Sequence, residues 1–169
     1  VRNPTVVLAR SLHSSSVRHR QGLTLLEGPR LVHEGANAGV LQTILVAADA
    51  GVAIEATARS AGVEVLRCAP HVIGAAADSK SPQGILAIGR VPRIFERDGP
   101  RLVLVIDGVQ DPGNVGSLVR TATAAGATLI VYTKDSADPF GPKALRAGAG
   151  AHFHVPIQAA TAIGKIGLF

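Results

Sequence analysis

Two residues with chemical reach, Asn114 and Arg120, stand in the stretch DPGNVGSLVRTATAAG at 111–126, between the apolar runs LVLVI at 102–106 and TLIVYT at 128–133. That order of strand, turn, helix and strand puts the turn at the carboxyl end of a strand, where open α/β sheets collect ligands. Asn114 is a natural helix cap. The spacing of Val115, Leu118, Val119 and Ala122 gives a core-facing stripe and leaves Gly116, Arg120 and Thr123 on another. A long helical side chain leans toward the N-terminus, so Arg120 is expected to pass over Gly116 and reach the loop. A guanidinium, an amide and the free N–H groups of a helix start make an anion or phosphate site. The plain alternative is a capped helix with an exposed arginine. Gly108, Gly113 and Gly116 are spaced G-x4-G-x2-G, which is neither the G-x-G-x-x-G of a dinucleotide turn nor the Gly-Lys-Ser/Thr of a P-loop.

The elements that must position this turn can be read on either side of it. LTLLE at 23–27, QTILVAA at 42–48, VEVLRC at 63–68 and GILAIGRV at 84–91 read as strands. Helices are expected between them: GPRLVHEGANAG, with Pro29 at its first position and Gly39 as its stop, VAIEATARSAG, and HVIGAAA. Residues 1–92 thus form a small α/β layer domain. VPRIFERDGPR, with its prolines and charges, marks a linker at 93–101. A second α/β pattern runs from 102 to 169, with a helix from about 115 to 125, another at about 142–149, and a strand in AHFHVPI.

Composition narrows the partners. The net charge is +5, and residues 1–26 carry Arg2, Arg10, Arg18 and Arg20 with no acid before Glu27. That favours a polyanionic partner, the alternative being a solvated, partly disordered tail. Cys68 is the sole cysteine, so no internal disulfide is possible. His152 and His154 alternate as on a strand, with no third ligand nearby, and no metal site is assigned. No apolar run is long enough for a membrane helix, so a cytoplasmic location is expected.

DPGNVGSLVRTATAAG resembles the first signature motif, N-x-G-x-x-x-R after a strand and a D-P turn, of the SpoU class of RNA ribose 2′-O-methyltransferases in the SPOUT superfamily. GPKALRAGAGAHFHVPI resembles that class's segment in which S-P-K precedes an arginine and a small-residue run, with Gly141 where Ser is common. TLLEGPRLVHEGANAG and SPQGILAI resemble the substrate-binding domain many members carry in front, a fold shared with small RNA-binding ribosomal proteins. The likeness covers nearly all of residues 3–157. It implies methyl transfer from S-adenosylmethionine to a ribose 2′-hydroxyl of structured ribosomal or transfer RNA, in a homodimer without DNA or membrane partners. Asn114 and Arg120 become the active-site pair. Arg10, Arg18, Arg20 and Lys80 would face RNA from the front domain, and Lys143 and Arg146, three apart on one helix face, would grip phosphate near the reaction; a solvated surface is the alternative for each.

The class's second and third motifs, a G-x-E segment and an I-P…S-L-N-like segment, have no counterpart before Phe169. They supply the knot, most of the cofactor pocket and much of the dimer surface. The resemblance therefore implies an α/β SPOUT domain represented by its first part, with the trefoil knot absent or incomplete and no residue assignable to the adenosine pocket. A non-catalytic RNA-binding fragment is the alternative to a competent enzyme.

Overall fold

A computed structural model describes residues 3–48, 58, 62–92 and 102–160. The chain divides into two compact units, Val1–Val91 and Pro92–Phe169. The helix expected in VAIEATARSAG lies almost wholly, and the linker at 93–101 wholly, outside the described residues.

The first unit opens with two helices where sequence reading allowed a tail: α1 (Pro4–Ser11) and α2 (Ser15–Gln21). Asn3 caps α1 by accepting Thr5 N–H, and Pro4 occupies its first turn, where a missing N–H costs nothing. Val6, Ala9 and Leu12 recur at helical spacing, and all three are buried. Strands β1 (Leu23–Glu27), β2 (Leu41–Ala47), β3 (Glu64–Cys68) and β4 (Ile85–Arg90) form one sheet in the order β1-β4-β2-β3. β4 runs antiparallel to β1 and β2, whereas β2 and β3 are parallel. Between them lie α3 (Pro29–Asn37) and α4 (Pro70–Ala76).

All five residues of β1 are buried, the signature of a strand covered on both faces. Leu23, Leu25, Leu45, Leu86 and Ile88 share a core with Val6, Ala9 and Leu12 of α1 and Ile73 and Ala76 of α4. The α3 side is packed close enough that a Cβ at Gly35 would meet Leu26 and Leu41.

The second unit is a three-stranded parallel sheet, β5 (Val103–Ile106), β6 (Leu129–Thr133) and β7 (Ile157–Ala160), in that order. Helix α5 (Pro112–Ala124) connects β5 to β6; α6 (Pro142–Gly148) and a 3-10 turn (Ala151–Phe153) connect β6 to β7. The α/β expectation therefore holds. The strand expected in AHFHVPI does not begin until Ile157: His152 sits in the 3-10 turn and is buried, and His154 is exposed.

Candidate active site and RNA-facing surface

Because β5 and β6 are parallel, with Ile106 beside Tyr132, their carboxyl ends open at one edge of the sheet. Asp107 follows β5 directly, and Thr133 closes β6. Thr133 Oγ1 donates to Asp107 Oδ1 at 2.7 Å, Ser136 Oγ donates to the Ile106 carbonyl at 3.1 Å, and Ala137 N–H donates to the Val109 carbonyl at 2.8 Å. These bonds pin the 107–110 segment to the end of β6 and so set where α5 begins. Sequence reading did not single out Asp107, Thr133 or Ser136.

Helix α5 starts three residues earlier than expected. Asp111, not Asn114, is its cap: Asp111 Oδ1 accepts the Asn114 N–H at 3.0 Å, and Pro112 takes the first helical position. The physical reason is that a carboxylate facing the positive end of a helix, followed by a ring with preset φ, starts a helix more strongly than an amide three residues on. This also corrects the idea of free N–H groups awaiting a ligand. The first anion at this helix start is the protein's own. Asp111 Oδ2 is in turn gripped by Lys143 Nζ from the first turn of α6, at 2.7 Å, with both side chains about half exposed. The Lys143 ammonium first, and the Asn114 N–H next, hold the Asp111 carboxyl below its usual range.

Asn114 and Arg120 are both exposed on α5. The space over Gly116 that the sequence reading gave to Arg120 is filled by α6: a Cβ there would stand 2.8 Å from Ala147 Cβ and closer still to the Ala144 carbonyl oxygen. Gly116 is a helix–helix contact. Ser117 and Gly113, positions i−3 and i−7 from Arg120, share its face of the helix. That stripe leads toward the Asp111–Lys143 pair, since Lys143 Cε lies 3.6 Å from the place of a Gly113 Cβ. Of the expected core stripe, Val115 and Val119 are buried, Ala122 is half-buried, and Leu118 is 36% exposed.

The remaining basic residues divide. Arg10, Arg20 and Lys80 are exposed, as an RNA-facing role requires. Arg18 is not: it is 5% exposed, and its Nη1 donates to the Leu12 and His13 carbonyls at 2.7 and 2.9 Å. Its charge satisfies the end of α1, so its expected RNA contact is replaced by a fold-holding role. Lys143 is engaged with Asp111, and half-buried Arg146 is engaged within the fold as well. His152 is fully buried between Gly148 and Phe140, and neither ring nitrogen has a hydrogen-bond partner among the described residues. Burial depresses its pKa to about 4, with Asp138 and the Pro139 carbonyl opposing.

With this geometry in place, the sequence can be compared with known proteins. Residues 101–166 match the SpoU rRNA Methylase family, and residues 3–87 match the MRM3-like substrate binding domain. The chain belongs to the SpoU methylase family. It is 34% identical over 149 residues to the 23S rRNA (guanosine(2553)-2'-O)-methyltransferase RlmP of Bacillus subtilis, covering 88% of this chain and 58% of that one. It is 33% identical over 153 residues to human rRNA methyltransferase 3, mitochondrial, covering 85% and 36%. A crystal structure of an AdoMet-bound rRNA methyltransferase from Sinorhizobium meliloti superposes with a TM-score of 0.78 at 30% identity, covering 94% of this chain and 62% of that one. The chain thus spans less than two thirds of the length of these SpoU relatives. Asp111 is the site residue that sequence reading passed over although a signal was present, the Asp-Pro dipeptide at a strand–helix junction. No described helix is long and apolar enough to cross a membrane.

Proposed function

We propose that this chain handles the RNA acceptor in a ribose 2′-O-methyltransferase acting on structured ribosomal RNA. In this reading residues 1–92 bind substrate, 93–101 link, and 102–169 form the first part of the SpoU methyltransferase domain. The observation that carries it is the exposed face of α5: an exposed Arg120 on a stripe that leads to the Asp111–Lys143 pair, with Asn114 exposed in the first turn. The names of the relatives support ribosomal RNA as the substrate. A cytoplasmic site of action and a homodimer belong to the same reading.

S-adenosylmethionine, bound by a structural neighbour, is the methyl donor of this reading. The described residues do not by themselves fit it: their only orphaned buried polar side-chain atoms, the His152 ring nitrogens, are closed in by Gly148 and Phe140. The chain's own part is therefore the acceptor. Arg120 holds the phosphate beside the reacting ribose through its planar fork and stabilises the alkoxide that develops as the 2′-hydroxyl attacks. An arginine does not surrender its proton, so the acceptor proton passes to the RNA phosphate that Arg120 orients. Asn114 presents its carboxamide from the first turn of α5, nearly two turns before Arg120, and Arg10, Arg20 and Lys80 carry the salt-dependent part of RNA affinity.

The test is transfer of a labelled methyl group from S-adenosylmethionine to unmodified ribosomal RNA, followed by nuclease digestion. Label in 2′-O-methylnucleosides is expected; label confined to methylated bases refutes the proposal.

A further inference from the structure

Glu27 ends β1, is only 5% exposed, and turns its carboxylate onto the loop after α4. Glu27 Oε2 accepts the Asp78 N–H at 3.0 Å, and its two oxygens share the Ser79 N–H at 3.3 and 3.2 Å. The Ser79 hydroxyl donates to Glu27 Oε1 as well. A carboxylate that takes three donors from two successive residues fixes their backbone much as a cap fixes a helix start. These partners lie 51 and 52 positions away in sequence, so the contact is made only by the fold.

The same loop is held elsewhere. Gly28 adopts φ +94°, and a Cβ on it would stand 3.1 Å from Gln83 Oε1. His13 at the end of α1 donates Nε2–H to the Ala76 carbonyl at 2.9 Å, and its Nδ1 lies 3.5 Å from Asp78 Oδ1. At the far side, the Ala47 N–H donates to the Gly84 carbonyl at 2.7 Å. What this fastening leaves outside is Lys80, exposed between Ser79 and Ser81. Burying a carboxylate is costly unless its hydrogen bonds compensate. A loop that merely joined α4 to β4 would have no use for such a residue beneath it.

We propose that Glu27 is a positioning residue for an RNA-contacting loop, residues 78–83, which sets Lys80 and its flanking serines against a backbone phosphate. The contact surface runs through His13 to Arg10 on α1, one helical turn away. This inference rests on the RNA-binding reading of the first unit.

The test is the affinity of the 169-residue chain for a fluorescein-labelled RNA stem–loop across a salt series, for wild type, Glu27→Gln, Lys80→Ala and the double variant. Lys80→Ala is expected to weaken binding about fivefold to tenfold and to lower the salt slope by about one. Glu27→Gln, nearly the same size and without RNA contact of its own, weakens binding by a similar factor with the same slope change. The double variant stays within about twofold of either single variant. If instead the two effects multiply, and Glu27→Gln lowers thermal stability while the slope stays put, Glu27 is structural only and the inference fails with RNA binding intact. A wild-type chain that prefers the RNA no more than a DNA stem–loop of the same sequence overturns both. If Glu27→Gln does not fold, Ser79→Ala, which removes only the hydroxyl bond, takes its place; a loss of about twofold, absent in the Lys80→Ala background, is then expected, and additive losses overturn the inference.

Discussion

Gly116→Ala should separate α5 from α6 and so loosen the end of the site. The added Cβ would stand 2.8 Å from Ala147 Cβ and 2.9 Å from the Ala144 carbonyl carbon, with the carbonyl oxygen nearer still. Carbon atoms pack at about 3.5–4.0 Å, so α6 must move by about 1 Å or α5 must bend. The obstacle is backbone, which cannot rotate away. Overpacking of this kind costs roughly 1–3 kcal/mol, toward the upper end here, and the helix propensity of Ala over Gly returns about 1 kcal/mol. The net loss of about 1–2 kcal/mol corresponds to a fall in Tm of roughly 5–15 °C for a unit of this size. Lys143 rides on α6, so its 2.7 Å ion pair with Asp111 should open as well. Gly74→Ala is the control: it lies inside α4 with nothing within 4 Å of the new Cβ, and should raise stability by up to about 1 kcal/mol through propensity alone. Thermal melts followed by circular dichroism give both numbers. A Gly116→Ala variant that melts at or above wild type would refute the contact as described.

Three more outcomes follow from single residues. His152 takes a proton near its ordinary 6.5 in the unfolded chain but only at about 4 in the fold; between those values the unfolded state binds more protons, so stability should fall as pH drops through that window, by up to about 3 kcal/mol. His152→Leu, melted from pH 7.5 to 4, should flatten this dependence without lowering neutral-pH stability, since an unpartnered ring is replaced by an apolar group. Arg18→Ala should lower stability by about 2–4 kcal/mol, from two abandoned carbonyls and lost packing, yet leave the RNA salt slope of the folded protein unchanged. Asp111→Asn keeps a cap but loses the Lys143 pair, so its Tm should fall between wild type and Asp111→Ala, and both variants should lose less stability than wild type on acidification through the carboxylate range.

Much of the fold was legible because it depends on local rules. Pro29 and Gly39 bound α3 as expected, the latter at φ +66°, and the apolar runs at 23–27, 42–48 and 102–106 fall on strands. The N-terminal helices were hidden by charge: arginines and histidines drew attention from Val6, Ala9 and Leu12, whose spacing carries α1. The alternation of His152 and His154 mimicked a strand, although a ring lying against the bare Cα of Gly148 is what places His152. In the site, Asn114 and Arg120 stood out by type and spacing. Their supports did not, because the bonds of Thr133 to Asp107 and of Lys143 to Asp111 join residues 26 and 32 apart, and no local pattern records such pairs.

The account's central claim is that the forked guanidinium of Arg120 acts on the acceptor ribose and its phosphate. The measurement that tests it most directly is single-turnover methyl transfer to ribosomal RNA at saturating RNA, for wild type and Arg120→Lys. With the charge kept and the fork removed, RNA affinity should change less than about threefold while the rate falls by at least about a hundredfold. A lysine variant that transfers methyl groups within about threefold of the wild-type rate would contradict it.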